Sequence, residues 1–275
     1  MSTNKFKIAA LIPTRGRTKP LETSIKSLIE RARYPDTIQI LIAFDNDDTK
    51  TIKYFQGAIR PWMDDNNVNY TVLSMDRMGY QNLNLYYNKL AEYTDSDWFM
   101  GWGDDSIMET PGWDTKIAEH DGKFKLLKVH THNEHPYSIF PIIPRAWYEL
   151  RKIFSTHQMP DAELSQMAYM LDIMEIIDVS VTHDRADLTG KKPDATHQNR
   201  VSFEGNPNDP RDFHHKDNLQ RRLNDCETIS KYLDTQGINT SFWKGVMAGT
   251  QDPWEKLKAN DINQQMVQHN IIYKI

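Results

Sequence analysis

The sequence predicts an α/β fold, a mixed and mostly parallel sheet flanked by helices, with a helical C-terminal extension. Three observations predict it. Short apolar runs alternate with stretches of helical periodicity through the first hundred residues, as they do when crossover helices join neighbouring strands. The first two, "KIAALIP" and "IQILIAF", read as buried strands. The ends of the runs are polar or acidic, at Thr14 to Arg17, Asp45 to Asp48, and Asp104 with Asp105. In open α/β sheets, ligands sit beyond the carboxyl ends of the strands.

The elements follow in order. "KIAALIP" (7–13) is a buried strand closed by Pro13. "TKPLETSIKSLIERAR" is a helix, with Thr18 as a cap, Pro20 near the first turn and Leu21, Ile25, Leu28 and Ile29 at helical spacing. "IQILIAF" is a second strand ending at Asp45, "TKTIKYFQGAIRPWM" a helix, and "VNYTVLS" a third strand. "MGYQNLNLYYNKLAEY" reads as a helix and "DWFMGW" as a fourth strand. Beyond Trp113, "KFKLLKVHTH" and "YSIFPIIP" read as strands, "RAWYELRKIF" and "DAELSQMAYMLDIM" as helices, and "EIIDVSVTH" as a strand. Residues 186–211 are rich in Asp, Asn, Gly, Pro and Lys and read as a long loop or lid. "KDNLQRRLNDCETISKYLDTQG" is a helix stopped by Gly237, and the last residues form a helical tail. The expected division is a binding and catalytic domain over 1–185, then a lid and helical extension over 186–275.

Composition narrows the class. A 275-residue chain can bury one large core. Its formal charge of −5 argues against nucleic-acid binding through overall charge, while leaving room for a local basic groove. A single cysteine, Cys226, excludes an intramolecular disulfide and a thiolate-rich zinc site. The apolar run before Pro13 is too short for a signal-peptide core or a membrane span, so a cytoplasmic protein with no membrane partner is expected. Neither a P-loop, a G-x-G-x-x-G turn nor a G-x-S-x-G elbow occurs.

The stretch "DSDWFMGWGDDSIMETPGW" (95–113) drives an apolar strand into two adjacent carboxylates. A solvated turn tolerates Asp, whose side chain bonds nearby backbone N–H groups. A divalent cation is the sharper reason, because it relieves the repulsion and prefers carboxylate oxygen. Histidines His130, His132 and His135 have an H-x-H spacing that suits a metal if it lies on a strand, and His197, His214 and His215 lie in or near the lid.

Taken in order, "IPTRGR", "IAFDNDD", "MGYQNLNLYYNKLAEYTDSDWFMGWGDDSIMETPGW" and "PDAELSQMAYMLDI…VSVTHD" resemble family-2-type glycosyltransferases of the GT-A fold, over about residues 7 to 184. One departure is that the acidic motif reads Gly103-Asp104-Asp105 rather than a clean D-x-D. The resemblance implies Mn²⁺ or Mg²⁺ as cofactor, held by Asp105 and by His183, with Asp104 near ribose or metal. It places Pro13, Thr14, Arg15 and Arg17 in the loop that meets phosphate or base, Asp45 and Asp47 at ribose or base, and Asn88 on the adjoining helix. A carboxylate opening the "PDAELS" helix, Asp161 or else Glu163, would take the acceptor proton in an inverting transfer. Both acids are also what a helix N-terminus favours for dipole reasons alone.

The expected activity is transfer of a sugar from a nucleotide donor, UDP-linked in the first instance, to a hydroxyl. Glycosyltransferases encoded by tailed bacteriophages are similar, which admits a 5-hydroxymethylpyrimidine in phage DNA as acceptor, and the host cytoplasm as location. Lys191, Lys192, Arg211, Lys216, Arg221 and Arg222 would then supply phosphate contacts. A glycan, protein or small molecule is the alternative acceptor. A sugar nucleotidyltransferase would carry a G-x-G-T-R-type loop that "IPTRGR" does not provide, and a non-catalytic binding module would have no need of these acids.

Overall fold

A computed structural model describes residues 6–131, 135–184, 206 and 208–252. β1 (Ile8–Thr14), β2 (Ile38–Asp45) and β3 (Asn69–Met75) alternate with α1 (Thr18–Glu30), and with a helix made of α2 (Thr49–Tyr54), a π-helical turn (Phe55–Ile59) and α3 (Arg60–Asp65). The widened turn falls where Pro61 has no N–H to return to the carbonyl of Gly57. α4 (Leu83–Ala91) and β4 (Trp98–Gly101) follow. The short β5 (Ser106–Met108) and α5 (Trp113–Ala118) come next, both unforeseen from sequence. The second half contains β6 (Leu126–Thr131), β7 (Ile142–Pro144), α6 (Arg145–Arg151), α7 (Pro160–Leu171), β8 (Met174–His183), α8 (Lys216–Thr235) and α9 (Ser241–Met247).

These strands form one eight-stranded sheet in the order β3-β2-β1-β4-β7-β6-β8-β5. Four neighbouring pairs are parallel and three antiparallel, so the sheet is mixed and mostly parallel. β7 runs against both β4 and β6, and these two reversals cancel. β6 and β8 therefore point the same way as β1, and the last residue of β8, His183, arrives at the edge where β1, β2 and β4 end. "YSIFPIIP" pairs only at Ile142–Pro144. Upstream, Ser138 N donates to Ser165 Oγ at 2.8 Å and Ser138 Oγ to Leu127 O at 3.3 Å, and Pro141 has no donor for a ladder.

The strand period of two splits the core between the faces of the sheet. Ile8, Ala10 and Ile12 of β1 join Leu21, Ile25 and Leu28 of α1 and Phe55, Ile59 and Met63 on one face. Ala9 and Leu11 join Tyr87 and Leu90 of α4, Trp147 of α6 and Leu164, Met167 and Ala168 of α7 on the other. Cys226, Ile229 and Leu233 of α8 and Trp243 and Val246 of α9 belong to this second cluster, so the C-terminal helices share the core of the sheet. Gly237, at φ +71, ends α8 as the sequence predicts. Among the described residues no helix is long and apolar enough to cross a membrane. The predicted tail, most of the lid, His132, His197, Lys191 and Lys192 lie outside the described residues.

Candidate functional site

The acids share one edge because three parallel strands end there. β4 pairs with β1 only as far as Leu11 and Gly101, and Trp102 N then donates to Leu11 O at 3.0 Å. Beyond this point β1 continues through Pro13 to Thr14, while the β4 chain turns at Gly103. A Cβ on Gly103 would stand 2.7 Å from Ser106 Oγ and 3.0 Å from Asp105 Oδ1, so only glycine lets the Asp105 carboxylate fold back onto its own turn. The turn closes with Ser106 N donating to Gly103 O at 3.2 Å.

Asp104 and Asp105 are both buried. Thr14 Oγ1 donates to Asp104 Oδ2 at 2.6 Å. Arg17 Nη1 reaches Asp104 Oδ1 at 3.3 Å and also donates to Asp105 Oδ2. His183 Nε2 stands 3.3 Å from Asp105 Oδ1. The position of His183 is fixed by backbone pairing, His183 opposite Ser106 and Asp184 N donating to Asp105 O at 2.9 Å, and by the Phe140 ring packed edge-on at 5.3 Å. Burial by itself would raise the Asp105 carboxyl. The bonds and charges of His183 and Arg17 outweigh it and hold Asp105 well below the usual carboxylate range.

A second acidic group lies at the end of β2. Asp45 is buried, and Arg15 Nη1 donates to its Oδ2 at 2.8 Å while also pairing with Asp47. Tyr86 of α4 donates to Asp45 Oδ1 and accepts from Met78 N at 2.9 Å. Burial, and then the neighbouring Asp45, push the Tyr86 phenol up to about 12. Asp48 accepts from Gly16 N at 2.6 Å and from Thr51 N at 3.2 Å, so one carboxylate anchors the Arg loop and caps α2. Tyr86→Phe should leave the Met78 N–H and one Asp45 oxygen short of a partner. The expected loss is about 1–3 kcal/mol, to be read by urea denaturation.

Asp161 occupies the first turn of α7 on the helix-covered face that also holds Tyr87. The Tyr87 phenol is pushed up by burial first and then by the negative charges of Asp161 and Asp104, with Asp105 also contributing. Asp161 and the acidic pair thus act on one buried hydroxyl.

Three sequence expectations change. Glu163 cannot face an acceptor: its buried carboxylate accepts from Arg151 Nη2 and Ser155 Oγ, both at 2.5 Å, from Thr156 Oγ1 at 2.7 Å, and from His157 N at 2.8 Å and Thr156 N at 2.9 Å. Every lone pair is used, and the geometry gives Glu163 a bracing role. Asn88 is engaged at both ends of its amide, donating to Ser155 O at 2.8 Å and accepting from Phe154 N at 2.8 Å and Ser155 N at 2.9 Å, so it holds the 154–155 loop to α4. Arg222 is buried, 1% exposed, with its guanidinium 3.9 Å from the Phe213 ring centre, so it is no surface phosphate contact. Arg211 is paired with Asp209 at 2.6 Å.

The other histidines lie in their own local settings. His130 lies in β6 opposite Ser180, and His135 packs against Tyr137. His214 packs on Phe213, and His215 caps α8 by accepting from Asp217 N at 3.3 Å. Sequence reading also passed over Asp48, Tyr86 and Tyr87. "DNDD" and "YY" were the available signals, but only the fold shows which of those side chains turn inward.

Asp105 and His183 are the residues that could hold a divalent ion. Among the described residues no three His, Cys, Asp or Glu side chains converge, so Asp105 and His183 would leave most of an ion's shell to other ligands. A carboxylate with an imidazole fits Mn²⁺ better than Mg²⁺, whose preferred ligands are all oxygen.

The architecture defines a class, the GT-A-like fold found in glycosyltransferases. Among solved structures, the chain is similar to the mannosyltransferase PcManGT from Pyrobaculum calidifontis in complex with GDP-Man and Mn²⁺, at 9% identity and a TM-score of 0.55, covering 98% of this chain and 86% of that one. It is similar also to S. aureus TarS 1–349 in complex with UDP-GlcNAc, at 14% identity and a TM-score of 0.55, covering 93% and 74%. At such identities the likeness is one of fold. No family model and no curated protein sequence matches the chain.

Proposed function

We propose that the protein is a divalent-ion-dependent, inverting glycosyltransferase that moves a sugar from a nucleotide-sugar donor to a hydroxyl acceptor. The observation that carries this reading is the pairing of His183 with Asp105, beside an Asp104 held by Thr14, at the strand-end edge that also carries Asp45 and Asp47. Support comes from the fold, shared with structures that hold GDP-Man with Mn²⁺ and UDP-GlcNAc.

Each residue then has a task. Asp45 and Asp47 accept hydroxyls of ribose or an N–H of the base. Pro13 and Thr14 bring the backbone of β1 against the nucleotide, and Arg15 and Arg17 stand on the exit loop to meet phosphate. Asp105 and His183 hold the ion, and Asp104, fixed by Thr14, lies beside it. When bound, that ion neutralises the charge that builds on the diphosphate as the glycosidic bond breaks. Asp161 takes the proton of the acceptor hydroxyl as its oxygen attacks the anomeric carbon from the face opposite the leaving group.

UDP-sugars are the first donors to test and GDP-sugars the second. For the acceptor we favour a glycan, protein or small-molecule hydroxyl over hydroxymethylated DNA. The burial of Arg222 removes one of the cations a polyanion would need, and Arg211 is already paired with Asp209. The test incubates the full chain with Mn²⁺ and a panel of UDP- and GDP-sugars, and follows release of nucleoside diphosphate by chromatography. Mn²⁺-dependent release from one donor class is expected. No release and no thermal shift with any donor would refute the reading.

A further inference from the structure

All four carboxylate oxygens of the acidic pair are engaged by donors of this chain. Thr14 holds Asp104 Oδ2, Arg17 holds Asp104 Oδ1 and Asp105 Oδ2, and His183 stands against Asp105 Oδ1. The permanent cation among these donors is Arg17, whose one Nη1 serves both carboxylates. A divalent ion needs the same lone pairs, and placing it beside the guanidinium would set like charges against each other in a poorly solvated turn. Arg17 and an ion at Asp105 are therefore competitors.

The loop is built so that the side chain can leave while the backbone stays. Gly16, at φ +72, is pinned through its N–H to Asp48. Arg17 comes next, directly before α1, and its side chain is 23% exposed. Its long stem reaches the acids from the loop. A guanidinium leaving two carboxylates finds its best alternative partner in a phosphate, which it can grip with two N–H groups as a fork.

We propose that Arg17 and the divalent ion exchange on the Asp104–Asp105 pair. Without donor, Arg17 neutralises the acids and keeps the ion weakly bound. When ion and nucleotide arrive together, the ion takes the carboxylates and Arg17 passes to the diphosphate. The exchange rests on the proposed function for the identity of the incoming nucleotide. The competition itself is a property of Arg17 and its acids. A fixed structural ion pair would behave oppositely, because removing Arg17 would then loosen the turn and weaken ion binding.

The test measures free Mn²⁺ by electron paramagnetic resonance in titrations of the nucleotide-free full chain, for the wild type, Arg17→Gln and Arg17→Lys. Calorimetry then measures UDP and GDP binding at saturating Mn²⁺. Arg17→Gln should bind Mn²⁺ about two- to fivefold more tightly than the wild type, the scale of losing one partly exposed pair. The same variant should bind nucleotide more weakly once Mn²⁺ is present. Arg17→Lys, which keeps the charge without the fork, should shift Mn²⁺ affinity the same way by less, and it decides the matter if Arg17→Gln fails to fold. Unchanged or weakened Mn²⁺ binding in the folded variant overturns the exchange while leaving the glycosyltransferase reading intact. A wild type that binds neither Mn²⁺ nor nucleotide refutes that reading and the exchange with it.

Discussion

Asp161→Asn should bind donor as the wild type does and transfer sugar about 10²- to 10⁴-fold more slowly, the usual worth of a general base. Asp161 follows Pro160 in the first turn of α7, where the helix dipole favours the charged carboxylate. Its charge, after burial, helps push the Tyr87 phenol up alongside those of Asp104 and Asp105, which puts it on the side of the fold that carries the acidic pair. Asparagine keeps the size and loses the acceptor for the proton. Single-turnover transfer set beside calorimetric donor affinity separates the two effects, and near-normal transfer by the variant would move the base elsewhere.

Glu163→Ala should cost about 3–5 kcal/mol of stability, because it leaves Arg151 buried with half its countercharge. Arg151 is itself 1% exposed and retains only Asp225, at 2.7 Å. For a chain of this size the expected fall in melting temperature is about 5–9 °C. Acid should reproduce part of the effect. Burial works to raise the Glu163 carboxyl, but the charge of Arg151 and the bonds from Ser155 and Thr156 hold it down at about 2, below its ordinary 4.5. A carboxyl lowered by folding stabilises fully above its unfolded value. That contribution is lost as pH falls from about 4.5 towards 2. Thermal melts across this window should show the wild type losing stability more steeply than Glu163→Ala. A variant that melts like the wild type would remove Glu163 from the bracing network.

The two acids of "PDAELS" show what the sequence could and could not tell. Both suit a helix N-terminus, and composition alone does not separate them. Two residues along a helix turn about 200°, so one face could hold only one of them, and the fold puts Glu163 inward. Arg222 was legible in the same way. It lies four residues before Cys226, which leads by helical spacing to Ile229 and Leu233, and all of these are buried. Its charge suggested a surface, while its register placed it on the apolar face.

The strand ends were easier. Runs such as "KIAALIP" and "IQILIAF" are buried along nearly their whole length, and their ends set the acids at one edge. The reversal at β7 was not readable, because a three-residue strand carries no usable period. Contacts such as Asp48 to Gly16, or Tyr86 to Asp45, join residues 32 and 41 positions apart and exist only once the sheet has formed.

Calorimetric titration of UDP and GDP into the wild type and Asp105→Asn, each with and without Mn²⁺, tests the central claim most directly. On the proposed function the ion and the diphosphate would complete each other's coordination at Asp105 and His183, so one nucleotide should bind the wild type weakly alone and clearly more tightly with Mn²⁺. Asp105→Asn should lose most of that gain. Nucleotide affinity that is indifferent to Mn²⁺ in the wild type, or a gain that survives Asp105→Asn in full, would contradict the account.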